Sequence, residues 1–213
     1  MKKILIPLFK NISDSEWKAM SDCMHCQRFE KNSIIFHQGD VVHEVGIVLS
    51  GNVHIENIDI LGNRSILSDV PAGHVFAETY AFCGEPLMVD AVTDEISEIL
   101  FLNVQKIELY KSATWYDKLI HNMLFISMRK NLMLSHRIYC TSPTTIRERV
   151  LIYLSSQSGK TGSLTFQIPF DRQQLADYLN LDRSALSKEL GKMKKDRLLD
   201  YHKNTFTLLQ NEN

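Results

Sequence analysis

Between residues 171 and 208 the apolar and polar positions fall into two rhythms, which predict a pair of short helices followed by a hairpin. Leu175, Ala176 and Leu179 recur at helical spacing, as do Leu186, Leu190 and Met193, so each run has one face to bury. Ala176 stands at the crossing, where a small side chain lets the second helix approach closely. Asp171, with Gln174 three residues on, has the pattern of a capping box at the start of the first helix. Asn180 ends that helix, because asparagine tolerates the left-handed backbone of a tight turn. Leu181 then plugs the turn and Asp182 caps the second helix. Arg183, Ser184, Ser187 and Lys188 are left facing outward. Such a short, polar, basic set suits a helix whose N-terminal half enters a DNA major groove. Lys192, Lys194, Lys195 and Arg197 extend the positive charge to where phosphates would lie. A compact three-helix domain would bury Leu and Ala in the same way. The segment that follows favours the DNA-reading interpretation: after the polar His202-Lys203-Asn204, Thr205 to Leu208 alternates like a strand, so a wing succeeds the second helix.

Upstream the rhythm differs. Ile4 to Phe9 precedes Ser13-Asp14-Ser15-Glu16, a capping box, and then a short amphipathic helix running through Cys26 with Trp17, Met20 and Met24 on one side. From Phe29 to about residue 102 short alternating segments predominate. Glycines at 39, 51, 62, 73 and 84 are spaced by about eleven residues, the rhythm of successive turns in an all-β roll, each strand pair closed by a glycine free to take positive φ. Residues 95 to 102 supply the last strand. A long helix is expected from about Tyr116 to Ile138, where Ile120, Leu124, Ser127, Asn131, Leu134 and Ile138 follow an alternating four-three spacing, a heptad seam. The polar Asn131 inside that seam fixes register at some cost in stability. The seam reads as a homodimer contact, although a helix packed inside its own domain would show a similar stripe. Thr141 to Pro143 is the expected hinge, with Ser142 as the cap and Pro143 in the first position of the next helix. Gly159 and Gly162 flank a turn into a strand from Ser163 to Ile168. The expected division is 1–115, 116–140 and 141–213.

Composition narrows the function. With 44% hydrophobic and 23% charged residues, the chain is of the soluble globular kind. No run approaches a membrane span, and the apolar stretch after Met1-Lys2-Lys3 is too short for a secretion signal; a cytoplasmic protein is expected. Four cysteines make no disulfide framework and fit a reducing compartment. The net charge of −1 argues against nucleic acid, but the distribution reverses this: from Thr141 onward there are eleven Lys and Arg against eight Asp and Glu, against thirteen and seventeen in the remainder. So modest an excess calls for a dimer on double-stranded DNA, since phosphate contacts by one module are few. Histidines are scattered, with no His-x-His or His-x-x-x-His, so a metal-dependent enzyme is not supported.

The order of roll, long helix, hinge and winged helix, together with DRSALSKEL in the second helix, resembles the CRP/FNR superfamily of bacterial transcription regulators. The resemblance implies an α+β chain with an N-terminal β-roll like a cyclic-nucleotide-binding domain, a dimerisation helix and a C-terminal winged helix-turn-helix. It also implies a palindromic operator, RNA polymerase as a partner, and no enzymatic role. Arg183, Ser184, Ser187 and Lys188 match the family's base-reading positions; Arg172, Gln173, Asp182 and His202 fall where members touch phosphate. Ser184 replaces a glutamate that reads cytosine in members such as the cyclic-AMP receptor, and Lys188 replaces an arginine that grips guanine, so the preferred half-site differs.

Gly73 to Glu78 resembles the family's effector cassette, which makes Phe76, Ala77, Glu78 and Thr79 candidate contacts. Glu78 also reads as a solvated or salt-bridged turn residue. Where cyclic-AMP binders carry an Arg-Ser pair for the phosphate, this chain has Met88 and Val89, so cyclic AMP is not the expected effector. Met88 and Val89 are counted among the effector contacts as well, and being apolar they favour an unidentified uncharged or aromatic molecule. Cys23 and Cys26 permit a second reading, a redox- or metal-responsive regulator, against that of ordinary structural thiols. Haem on His74 or Cys83 has no local support. A module that binds no DNA is the remaining alternative.

Overall fold

The computed structural model describes residues 3–58 and 64–209, in two compact units, Met1–Arg129 and Lys130–Asn213. Gly62, one of the regularly spaced glycines, lies outside the described residues, as do Met1 and Lys2.

The first unit opens with α1 (Asp14–Ala19), where Ser13 and Glu16 exchange the two bonds of a capping box. There follow β1 (Met24–Phe29), β2 (Ile34–Phe36), β3 (Glu44–Ser50), β4 (Asn52–Ile58), β5 (Arg64–Pro71), β6 (Val75–Phe76), α2 (Glu78–Cys83), β7 (Asp90–Thr93), β8 (Ser97–Asn103), α3 (Val104–Glu108) and α4 (Tyr116–Thr141). The strands form two antiparallel four-stranded sheets, ordered β1-β8-β3-β6 and β2-β7-β4-β5. This is the expected β-roll. Successive side chains of a strand point to opposite faces, and β8 feeds two cores in this way. Ile99 and Phe101 join Val48, Val53 and Phe76; Leu100 and Leu102 join Phe9, Trp17, Val45, Ile47 and, from α4, Leu119 and Met123. Gly46 lets the Phe76 ring lie directly over β3, since a Cβ there would fall 2.1 Å from it.

Several expectations need correction. Residues 17–26 are not one helix: α1 stops at Ala19, Ser21–Cys23 forms a 3₁₀ turn, and β1 begins at Met24. Pairing with β8, from Met24↔Leu102 to Phe29↔Ser97, gives these residues a complete ladder, which outweighs a weak amphipathic pattern. Cys23 is therefore a buried turn residue and Cys26 an exposed strand residue. Gly39, Gly51, Gly73 and Gly84 all have positive φ, but Gly84 caps α2 and closes no strand pair.

The second unit comprises the end of α4, α5 (Ile146–Thr161), β9 (Thr165–Gln167), α6 (Arg172–Tyr178), α7 (Arg183–Lys195), β10 (Leu199–His202) and β11 (Thr205–Leu208), with the strands in the order β10-β11-β9. It is a winged helix around Val150, Tyr153, Leu154, Leu175, Leu186, Leu190 and Phe206. Ser142 and Pro143 do not start α5. Thr145 does, through a reciprocal box with Glu148, while Ser142 Oγ donates back to the Ile138 carbonyl at 2.6 Å. Two cap signatures stand in succession, and the one with a glutamate three residues on satisfies two backbone donors instead of one. Gly159 lies inside α5, and Gly162, at φ 66°, ends it. The expected strand from Ser163 to Ile168 shortens to β9.

Along α4, Ile120 and Ser127 are half-buried, while Leu124, Asn131, Leu134 and Ile138 are exposed, Leu134 at 61%. Among the described residues no helix is long and apolar enough to cross a membrane.

Glu16 fixes α1 to α4. Its carboxylate accepts Lys118 Nζ at 2.8 and 2.9 Å, Thr114 Oγ1 at 2.8 Å and the Ser13 amide at 2.8 Å. These bonds, the ammonium first, hold its pKa at about 2. A carboxylate with a depressed pKa contributes stability that is full above its unfolded value and drains as pH falls through its folded one. Glu16→Gln is accordingly expected to lower the melting temperature at pH 7, and the gap to the parent protein should narrow steadily once pH falls from 4.5 toward 2. Thermal melts across that range measure it; a gap independent of pH would contradict the assignment.

Candidate functional site

The helix-turn-helix is assembled by its caps. Asp171 accepts the Gln174 amide at 2.8 Å and Gln174 Oε1 accepts the Asp171 amide at 2.9 Å. Asn180 takes φ 52° after α6, and the Leu181 amide donates to the Ala176 carbonyl to complete the turn. Asp182 Oδ1 then accepts the Ala185 amide at 2.8 Å and the Ser184 hydroxyl. These bonds hold its carboxyl below the usual range. Leu186, Leu190 and Met193 bury the inner face of α7. Arg183, Ser184, Ser187 and Lys188 are exposed on the other.

The residues expected beside phosphate are held to different degrees. Arg172 is half-buried, its guanidinium 5.1 Å from the Tyr201 ring centroid and 5.7 Å from that of Phe206, and it donates to the Lys203 carbonyl. This stack ties the start of α6 to the wing, and burial lowers the arginine's pKa from its ordinary value. Gln173 Nε2 donates to Asp177 Oδ1 at 2.8 Å. Asp182 is committed to its cap. His202 is exposed at the end of β10, beside Lys203 at φ 53°. The basic end of α7 is partly neutralised. Lys194 meets Asp200 at 2.5 Å, Lys192 lies 3.5 Å from Glu189, and Arg147 joins Glu189 and Asp196 at 2.7 Å each. Among the described residues Arg183, Lys188, Lys195 and Arg197 form no ion pair, so the charge on the outer face of α7, at its end and just beyond it is uncompensated.

Sequence reasoning missed a second set. His136 Nδ1 lies 2.8 Å from the Tyr178 hydroxyl and Nε2 lies 2.6 Å from Ser156 Oγ, and burial pushes the imidazole pKa down. Arg137 donates to the Asp177 and Tyr178 carbonyls and to Asn180 Oδ1. Arg149 donates to the Leu179, Asn180 and Pro143 carbonyls. Carbonyls at a helix end have no intrahelical partner, and here two arginines supply them. The expected hinge at Thr141 to Pro143 therefore lies within a bonded segment. Only the exposed termination of α6 after Tyr178 could have signalled the need; nothing local points to partners about 30 to 40 residues away.

In the first unit a cavity of about 280 Å³ opens between α2 and α4. Glu78, Thr79, Phe82 and Cys83 line it from one side, and Ile120, Met123, Leu124 and Ser127 from the other. Glu78 is buried at the first turn of α2. No lysine or arginine is among the lining residues. The remaining expected effector contacts are not brought here: Phe76 fills the core between the sheets, Ala77 at φ 61° caps α2, Met88 is 71% exposed before β7, and Val89 stands next to it. The spacing from Glu78 to Met88 is spent on α2 and its cap, which carry the chain away. Burial pushes the thiols of Cys23 and Cys26 above their ordinary pKa, which disfavours the reactive thiolate. Among the described residues no group of three or more His, Cys, Asp or Glu side chains is placed so that it could hold a metal ion.

Residues 26–110 match the family model of the cyclic nucleotide-binding domain, and residues 148–212 that of the Crp-like helix-turn-helix domain. The chain is 22% identical, over 92% of its length and 88% of the relative's, to the probable transcriptional regulator flp of Lacticaseibacillus casei. Among solved structures it is similar to OCPA-complexed CprK, at 12% identity with a TM-score of 0.65 over 93% of each chain. It is also similar to a CooA mutant from Carboxydothermus hydrogenoformans, at 17% identity with a TM-score of 0.61 over 98% of this chain and 93% of that one. The catabolite activator protein of Thermus thermophilus follows at 19% identity, with a TM-score of 0.51 over 95% and 93%. These structural likenesses establish the fold.

The cap geometry predicts a separable effect at Asp182. Replacement by alanine is expected to lower the midpoint of urea unfolding, whereas Asp182→Ser should recover most of the loss. Equal stability of the two variants would mean that the cap carries no weight.

Proposed function

Because the chain belongs to the CRP/FNR superfamily of DNA-binding transcription regulators, we propose that it works as a homodimer on a palindromic operator. Arg183, Ser184, Ser187 and Lys188 read base edges, and Arg172, Gln173, Asp182 and His202 set the domain against the phosphates. The observation that carries this reading is the face of α7: four polar or basic side chains held outward by a fully built cap and turn, beside charge that no carboxylate neutralises. The exposed apolar residues of α4 support the dimer. Leu124, Leu134 and Ile138 are each more than half exposed, and burying such area stabilises by about 25 cal/mol per Å². Paired through Ile120, Leu124, Ser127, Asn131 and Leu134, two chains can present reading helices roughly 34 Å apart, one turn of duplex.

The effector of this reading is a small uncharged or aromatic molecule between α2 and α4. A cyclic phosphate buried there would meet no cation, at heavy desolvation cost. Ile120, Leu124 and Ser127 line the cavity and also belong to the seam, so an occupant bears directly on dimer contacts. Its effect travels along α4 itself, whose last turns are bonded to the reading unit by His136 and Arg137. The division 1–115, 116–140 and 141–213 is kept as a functional one. The protein acts by binding and not by catalysis, in the cytoplasm, with RNA polymerase as the partner through which operator occupancy changes transcription.

Selection from a random duplex library is expected to return an inverted repeat. Lys188→Ala should then weaken binding by about 1–3 kcal/mol and relax preference at one position of each half-site, while the dimer mass in solution stays unchanged. Undiminished sequence preference in the variant would refute the assignment.

A further inference from the structure

The first unit has a second recess, larger than the one beside Glu78. It lies between the N-terminal segment and α4, holds about 680 Å³, and falls within the size range of small-molecule sites. Its walls are fixed. Asn122 Nδ2 donates to the Leu8 and Lys10 carbonyls at 2.9 and 2.8 Å, Leu8 and Phe9 are buried in a 3₁₀ turn, and Asn11 reverses the chain at φ 65°. Ile6, Phe9, Phe125 and Ile126 supply apolar surface, and Leu5, 90% exposed, overhangs it. Lys3, Lys10 and Arg129 stand round the rim, with the Arg129 guanidinium 5.4 Å from the Phe125 ring centroid. No Asp or Glu is among the lining residues; the nearby Asp14 meets Lys3 at 3.6 Å from outside. In a chain with more acidic than basic residues, three cations around an apolar recess without a lining carboxylate form a field for one kind of guest.

A second copy joined through the α4 seam does not occupy this recess. Asn122 and Ile126 each stand two residues from Leu124, and Arg129 two from both Ser127 and Asn131, and two residues turn about 200° around a helix. The recess therefore opens on the back of α4 relative to the seam.

We infer that this recess is a second ligand site, distinct from the cavity beside Glu78, for a small amphiphilic anion: a carboxylate on a medium-length alkyl or aryl body. The carboxylate pairs with Lys10 and Arg129 at the rim, where the charge-assisted bonds of arginine are strongest, and the body covers Phe9, Phe125 and Ile126. The site rests on the geometry of the first unit alone, so it stands or falls independently of how the chain reads DNA.

The test uses the full-length protein with submicellar decanoate, decanol and inorganic phosphate as probes, followed by calorimetry and by NMR of Ile, Leu and Met methyls. Decanoate is expected to bind once per chain, at least tenfold tighter than decanol, with the largest shifts at the Ile6 and Ile126 methyls. Phosphate at the same concentration should not displace it. Lys10→Gln with Arg129→Gln, whose fold is checked by thermal melting, should weaken decanoate at least tenfold and leave decanol unchanged. Equal affinity for decanoate and decanol would overturn the proposal, as would displacement by phosphate alone or shifts confined to Met123 and Leu124. The comparison of probes on the unmodified protein decides the matter even if the variant does not fold.

Discussion

A helix of 26 residues rises about 39 Å and can bend only at a cost in backbone hydrogen bonds, and on this constraint the molecule depends. The first half of α4 closes the apolar core of the roll with Leu119 and Met123. Its last turns are bonded into the winged helix through His136, Arg137 and the buried Cys140. One continuous element is thus part of both units. Three of the four α4 residues that line the α2 cavity, Ile120, Leu124 and Ser127, also belong to the heptad stripe, so in the proposed reading a ligand and a partner chain would bear on the same face of this helix.

Charge is distributed to match. On α7 and around it, Lys192, Lys194 and Arg147 are compensated by Glu189, Asp196 and Asp200, which stiffens the C-terminal end without adding field. The outer face of α7 is left uncompensated. In the first unit, the cavity beside Glu78 has no lining cation, while the recess behind α4 has three. Both are walled largely by apolar side chains, so the two recesses differ in charge and not in apolar character.

Local grammar made much of this legible in the sequence. The Asp171–Gln174 and Ser13–Glu16 boxes and the left-handed Asn180 each depend on residues within a few positions of one another, where spacing and stereochemistry suffice. What escaped depends on distant partners. A six-residue run such as Met24 to Phe29 fits a helix or a strand equally well, and only β8, some seventy residues away, decides. Pro143 offered a good first position, yet Thr145 had the reciprocal glutamate. Met88 and Val89 were expected at the pocket because the resemblance puts them where relatives hold a phosphate, but α2 and its glycine cap intervene and leave Met88 in solvent. Arg172 was legible as a basic residue at the start of α6; its stack on Tyr201 and Phe206 was not, because the rings come from the wing.

If α7 reads DNA as proposed, the bond between Ser184 and Asp182 also bears on which bases are read. A hydroxyl has one proton to give, and that of Ser184 goes to the Asp182 carboxylate within the cap. What remains toward the groove is a pair of lone pairs. In the major groove the hydrogen-bond donors are the amino groups of cytosine and adenine, whereas guanine offers only acceptors along that edge. Held this way, a side chain that is ambivalent in water becomes one-directional: it complements an amino group and leaves a purine carbonyl unmatched. A short serine and its capping aspartate thus keep, over the two residues, the acceptor character of the longer carboxylate found at this position in related regulators.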